Sequence, residues 1–207
     1  MDTVSAVAVV LVEGISDQLA LEALAARRGL NLDGEGIAIV PMGGSKKVMS
    51  FLDRFGPRGL NLRLAGLCDA AEEGDFQRAL ERAGLGSNLT RSDMERLGFY
   101  VCVADLEDEV IRSLGPAAVE RVIDARGELE PFRSFQRQPA WRERTPEAQL
   151  RRFFGTHGGR KIESAALLVD ALDLDRVPRP LDLVLTHVVE AESSPRDQSR
   201  EINKPNA

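Results

Sequence analysis

Carboxylates close three of the apolar runs in this chain. Val7–Val12 stops at Glu13, Leu62–Cys68 stops at Asp69, and Phe99–Ala104 stops at Asp105. Asp17 follows Glu13 by four residues, and Glu107 follows Asp105 by two. Carboxylates brought close together repel unless a proton or a cation sits between them. Mg²⁺ and Mn²⁺ take oxygen ligands, and Mg²⁺ is content with few carboxylates because it keeps waters for substrate oxygens. Glu13, Asp17, Asp69, Asp105 and Glu107 offer enough oxygen for one such ion, or for two about 3.5–4 Å apart. A two-ion arrangement would activate water at one ion and stabilise the leaving oxygen of a phosphodiester at the other. The plainer alternative is that each acid ends a strand or occupies the first turn of a helix, where negative charge is favoured anyway.

A phosphodiester also needs positive charge. Gly43-Gly44-Ser45 followed by Lys46-Lys47 sets a flexible turn at a helix start, where backbone N–H groups and lysines suit a phosphate. An ordinary strand-to-helix turn would read the same way. Residues 131–161 carry 8 Lys/Arg against 2 Asp/Glu, whereas residues 1–130 carry 14 against 22 and residues 162–207 carry 5 against 9. The net charge of −6 therefore hides one basic segment in an acidic chain, which is not the pattern of a general nucleic-acid coat protein. That segment ends in Gly158-Gly159-Arg160-Lys161, where two cations open a helix against its dipole, a choice that a phosphate or an acidic site would compensate. A solvated basic face is the competing reading. Trp141, the single tryptophan, reads as a packing anchor ahead of a base-stacking platform. His157 and His187 lack a ligand pattern and read as surface or cap residues.

The elements that would position these groups alternate. Val7–Val12 is a strand, with Ser16 as the N-cap of a helix reaching Arg28. Gly36–Val40 is a second strand, and Ser45 caps a helix over Lys46–Phe55, ended by Gly56-Pro57. The Leu62–Cys68 strand leads to a helix over Ala70–Gly84 and a polar loop over Leu85–Ser92. The Phe99–Ala104 strand leads to a helix over Leu106–Leu114. This alternation predicts an α/β fold, a parallel sheet with helices on both faces, and puts all three strand-ending acids on one rim. Ligands of open α/β sheets bind at that carboxyl end. From Pro116 the pattern is helical: Ala117–Arg126, Pro131–Gln138, Glu147–Phe154, Lys161–Leu172 and Leu181–Val189. The expected organisation is an α/β domain over residues 1–115, a helical extension over 116–189 and a disordered polar tail over 190–207.

A 43% apolar content supports a core, and 5% aromatic content means that Leu, Val and Ala must build most of it. Cys68 and Cys102 fall inside apolar runs and read as core residues of a reducing compartment. Neither a leader pattern nor an 18-residue apolar run is present, so a cytoplasmic protein without a membrane partner is expected.

Residues 8–115 resemble the Toprim domain shared by topoisomerases, bacterial primases and the OLD (overcoming lysogenization defect) nucleases. The pattern is Glu13-Gly14 after the first strand, Gly43-Gly44 after the second and Asp69 after the third. The OLD branch is the more similar, and the likeness extends to about residue 175. It implies a Rossmann-like Toprim sheet and a metal site using Glu13, Asp17, Asp69 and Glu107. Asp105 stands where that branch has an assisting oxygen residue, and Lys161 matches its downstream lysine. Catalytic roles fall to Glu13 and Lys161. The pattern's Asp-x-Asp reads Asp69-Ala70-Ala71 here, which leaves Glu72 or Glu73 to supply the missing acid. There is no G-x-x-x-x-G-K-[ST] of the ATPase that accompanies OLD Toprim domains. The expectation is a stand-alone module whose ATP control, if any, comes from a partner ATPase in trans.

Three functions remain open from the sequence. The first is Mg²⁺- or Mn²⁺-dependent cleavage of DNA, with Gly43, Gly44, Lys46, Lys47 and Arg160 contacting the backbone. The second is a catalytically degenerate module that binds nucleic acid or an ATPase through residues 131–161. The third is nucleotidyl transfer or phosphatase chemistry on a small substrate. The oligomeric state is not readable.

Overall fold

The computed structural model describes residues 6–155 and 158–190, with the backbone alone at residues 158–161 and 163. Four parallel strands form one sheet: β1 (Ala8–Val12), β2 (Ile37–Pro41), β3 (Arg63–Cys68) and β4 (Phe99–Val101), in the order β2-β1-β3-β4. β1 and β3 are the interior pair, in register at Val10↔Ala65 and Leu11↔Gly66. The chain leaves β1 toward one edge and returns to β3 on the other side. The carboxyl ends of β1 and β3 therefore flank the point where the connections diverge, the crevice in which open α/β sheets bind ligands.

Strand alternation sorts the core into two layers. Ala8, Val10 and Val12 of β1, Ala65 and Leu67 of β3, and Tyr100 of β4 face one layer. Val9, Leu11, Leu64, Cys68, Phe99 and Val101 face the other. Every residue of β1 is buried, as a strand covered on both faces requires. Helices α2 (Val48–Phe55), α3 (Glu73–Arg82) and the short α4 (Arg91–Arg96) cover the second layer. Gly66 lets Phe99 lie against β3, since a Cβ there would come within 2.6 Å of the ring. Cys68 and Cys102 are buried free thiols in different layers of the core.

The first layer is covered by α1 (Ile15–Arg27), α5 (Leu106–Leu114), α6 (Pro116–Ala125), α7 (Leu129–Gln136), α8 (Pro146–Gly155), α9 (Gly158–Asp170) and α10 (Arg179–Glu190). The C-terminal helices share this core with the sheet. Arg27 donates to the Val169 carbonyl at 2.7 Å, Arg28 pairs with Asp182 at 2.6 Å, and Arg63 donates to the Val188 carbonyl at 2.5 Å. Five of the ten aromatic residues, Phe132, Phe135, Trp141, Phe153 and Phe154, form one contiguous cluster in α7, α8 and the loop between them. The basic segment is thus aromatic on its inner side, which fixes it to the domain rather than leaving it a loose arm.

Several element boundaries differ from the sequence expectation for local reasons. Ser16 is buried inside α1. The N-cap is Gly14, whose N–H donates to the Asp17 carboxylate at 2.8 Å. Ser45 is likewise not a cap: it opens a 3₁₀ turn over Ser45–Lys47, and its hydroxyl donates to Asp75 at 3.4 Å. Residues 70–84 divide into a 3₁₀ turn over Ala70–Glu72 and α3. The loop expected over Leu85–Ser92 ends early because Thr90 caps α4 through the Asp93 N–H, at 3.2 Å. β4 stops at Val101, three residues short of the apolar run, because the Val103 N–H turns away to the Glu109 carboxylate at 2.6 Å. His157 and the expected tail beyond Glu190 lie outside the described residues.

Candidate metal centre

Glu13 is held from its backbone. Its carbonyl accepts the N–H groups of Gly43 (2.8 Å) and Gly44 (3.3 Å). Both glycines have positive φ, +71° and +119°, so the double-glycine turn can reach across from β2 to the end of β1. Those two donors, expected to contact a phosphate, are spent on Glu13. The turn locates an acid instead of cradling an anion. The lysines beside it remain on the surface, with Lys47 Nζ folded over Gly43, 3.1 Å from where a Cβ would stand.

Asp69 leaves β3 in an extended conformation and caps the 3₁₀ turn over Ala70–Glu72. The Ala70 N–H donates to the Ala104 carbonyl at 3.1 Å, tying this turn to the loop after β4. A 3₁₀ helix has three residues per turn, so side chains three apart eclipse. Glu72 thereby returns to the side of Asp69, and the gap left at Ala71 is filled in space from the next position. One oxygen each from Glu13, Asp69 and Glu72 lies within 4.8 Å of the other two. Octahedral Mg²⁺ with bonds of about 2.1 Å has ligand oxygens about 3 to 4.2 Å apart, within reach of small side-chain rotations.

The electrostatics agree with that geometry. The Asp69 carboxyl is pushed up to about 8, first by burial and then by the charges of Asp105, Asp17, Glu13 and Glu72. All four neighbours are acidic, and they place Glu13, Asp17, Asp105 and Glu72 around Asp69. Glu72 Oε2 is buried and accepts no hydrogen bond among the described residues. A buried carboxylate oxygen normally has a partner, and its absence here fits a site made for a cation. The residues present therefore suit a hard divalent ion held by Glu13, Asp69 and Glu72.

The remaining predicted residues take other positions. Glu73 is not at the site, because Arg91 grips it in a two-pronged pair with Nε at 3.0 Å and holds its carboxyl below the usual range through that hydrogen bond. Asp17 Oδ2 accepts the Gly14 N–H, fixing the turn behind Glu13. Asp105 has both oxygens engaged. Oδ1 caps α5 through the Asp108 N–H at 2.9 Å, and Oδ2 accepts Arg151 through Nε at 2.9 Å and through Nη2. Glu107 is buried and, with Asp105, Trp141, Arg151 and Arg152, lines a cavity of about 420 Å³. Asp17, Asp105 and Glu107 stand outside the group of three converging oxygens. Arg160 and Lys161 lie in the first turn of α9, and their side chains fall outside the described residues. His187 packs edge-on against Tyr100, with ring centroids 6.4 Å apart. Burial, then Arg63, lowers its proton affinity.

Two residues escaped the sequence reading. Glu109 is buried, accepts the Val103 N–H and pairs with Arg112 at 2.8 Å. Arg151 brings a cation from the helical segment to the acid that follows β4. The only signal for Arg151 was the charge of the basic segment, which does not single out one arginine.

Residues 6–70 match the family model described as "Overcoming lysogenization defect protein-like, TOPRIM domain". Among solved structures, the C-terminal region of the Xanthomonas campestris pv. campestris OLD protein superposes with a TM-score of 0.72 at 23% identity, covering 91% of this chain and 94% of that one. The C-terminal region of the Burkholderia pseudomallei OLD protein gives 0.71 at 20% identity, covering 90% and 98%. At these identities the likeness is one of fold. No curated protein matches the chain in sequence.

Proposed function

We propose that this chain, which carries an OLD-like Toprim domain over residues 6–70, hydrolyses phosphodiester bonds in DNA with one divalent cation, Mg²⁺ or Mn²⁺, held by Glu13, Asp69 and Glu72. The observation that carries this reading is the convergence of those three carboxylates at the β1/β3 crevice, one of them with a buried oxygen that accepts no hydrogen bond among the described residues. When bound, the cation supplies an activated water and neutralises charge on the phosphate. Asp17 braces the Gly14 turn and adds negative potential. Asp105 holds Arg151 at the edge of the site, where its guanidinium can meet a phosphate oxygen. We assign to Lys161, from the basic segment, the stabilisation of the charge that develops on the phosphate during cleavage. Lys46 and Lys47, which follow the turn that holds Glu13, add positive charge beside it.

Cleavage of plasmid and linear DNA with Mg²⁺ or Mn²⁺, beside Glu13→Ala and Asp69→Ala variants, tests the assignment. Activity that survives both substitutions removes the metal centre from the mechanism. A second reading is favoured by Ala71: a degenerate module that binds nucleic acid or a partner ATPase through residues 131–161. Calorimetry with Mn²⁺ separates the two, since a degenerate site gives no heat that depends on Asp69.

A further inference from the structure

The cavity of about 420 Å³ beside the acids has features that the metal centre does not use. One wall carries Asp105 and Glu107. The facing wall comes from α8 and the loop before it, and holds Trp141, Ala148, Arg151 and Arg152. Trp141 is held in place from two directions. Phe135 stacks on its ring at 5.3 Å and 26°, and its carbonyl accepts the side-chain amide of buried Gln149 at 2.8 Å. Gln149 in turn accepts from Gln136 at 2.7 Å, so α7 and α8 jointly fix the indole. Arg151 is committed to Asp105, whereas the guanidinium of exposed Arg152 rests over the indole at 5.9 Å. Acids and arginines on the lining balance in number, and the surface between them is an aromatic plane, a small alanine and aliphatic stems.

We infer that this cavity receives one unpaired nucleotide of the DNA strand next to the bond being cut, its base against Trp141 and its phosphate on Arg152. This inference rests on the phosphodiester-cleaving reading for its ligand class. Its volume lies in the range of small-molecule sites, and a nucleotide needs the pairing found here: a flat apolar surface for the base and a mobile cation for the phosphate. Arg152 is the mobile member, since leaving the indole breaks no ion pair with Asp105. The rim acids on the facing wall connect the cavity to the metal centre, so a strand lying in it runs toward Glu13 and Asp69. The domain then engages single-stranded or frayed DNA ahead of fully paired DNA.

Trp141 is the chain's only tryptophan, so its fluorescence reads the cavity directly. The full chain is titrated in EDTA with a short oligodeoxythymidine, with an abasic deoxyribose-phosphate strand of the same length, with a blunt duplex and with dTMP. Expected is saturable quenching by the oligothymidine, with binding about tenfold weaker for the abasic strand and for the duplex. Ala148→Glu puts a carboxylate on an exposed position of the lining without touching the core, and is expected to weaken oligothymidine binding about tenfold. Arg152→Gln should weaken oligothymidine and dTMP alike, since both offer it a phosphate. Equal binding of the abasic strand, no quenching by dTMP at any concentration, or an unaffected Ala148→Glu variant each overturns the inference. Because the titration contains no metal, its failure leaves the hydrolysis assignment standing. Loss of hydrolysis with quenching intact leaves the cavity as the binding surface of a non-cleaving module.

Discussion

The acids at the ends of β1 and β3 and those after β4 look alike in the sequence and live under different electrostatics. At the β1/β3 crevice, burial and then the negative charges of Asp105, Asp17, Glu13 and Glu72 raise the proton affinity of Asp69. After β4, Asp105 and Glu109 are satisfied locally. Asp105 caps α5 and holds Arg151, while Glu109 takes a backbone N–H and Arg112. A strand-terminal acid crowded by other acids is suited to a cation, whereas one supplied with local donors serves as a structural brace. Three such acids in one chain need not do the same work.

The largest test of that contrast is removal of a converging ligand. Asp69→Ala or Glu13→Ala should lower cleavage by more than about 100-fold and abolish Mn²⁺ heat in calorimetry, exceeding the 10–100-fold typical of outer-shell partners. Asp105→Ala should leave Mn²⁺ affinity within about threefold; a loss as large as that of Asp69→Ala would erase the distinction between the two regions.

Titration gives the next effect. Unfolded Asp69 ionises in the ordinary carboxylate range, while the folded, metal-free protein keeps that proton to about pH 8. Between those limits the folded state binds the extra proton, so metal-free stability falls as pH rises and levels off above about pH 8. The apparent Mn²⁺ affinity runs the other way, gaining up to about tenfold per pH unit below pH 8, because binding must displace the proton. Thermal melts in EDTA and calorimetry across pH 5–9 read both slopes. Asp69→Asn should flatten the stability slope.

Smaller still is the difference between adjacent glutamates. Glu72→Gln should weaken Mn²⁺ about tenfold, whereas Glu73→Gln should leave Mn²⁺ binding unchanged and, by breaking a surface pair with Arg91, cost less than about 1 kcal/mol. The smallest effect belongs to the brace: Asp105→Ala should lower unfolding stability by about 1 kcal/mol through loss of the α5 cap. Urea unfolding measures it.

The parallel sheet was legible because Val9–Val12, Ile37–Val40, Leu64–Cys68 and Phe99–Val101 are short apolar runs with turn signals between them. Glu13 and Asp69 were legible because they stand directly at strand ends, where one residue of error changes little. Glu72 and Glu73 could not be told apart, since their roles depend on whether the turn after Asp69 is 3₁₀ or α, a difference of 3.0 against 3.6 residues per turn. Arg151 meets Asp105 across 46 residues of chain, and no local pattern carries such a pairing. The role of Gly43-Gly44 was hidden for a similar reason. Flexibility is visible in a sequence, but the acceptor that the freed N–H groups find is not.

The interior position of β1 and β3 also acts as a ruler. Glu13 and Asp69 extend from neighbouring strands whose backbones are hydrogen-bonded from Ala8–Arg63 to Leu11–Gly66. Their roots cannot separate unless the centre of the sheet opens, the costliest distortion available to such a fold. Glu72 is different, since its place depends on a single turn of three residues. Adaptation to an ion of another radius would therefore fall to that turn, one jaw of a caliper closing on an anvil that the sheet keeps still.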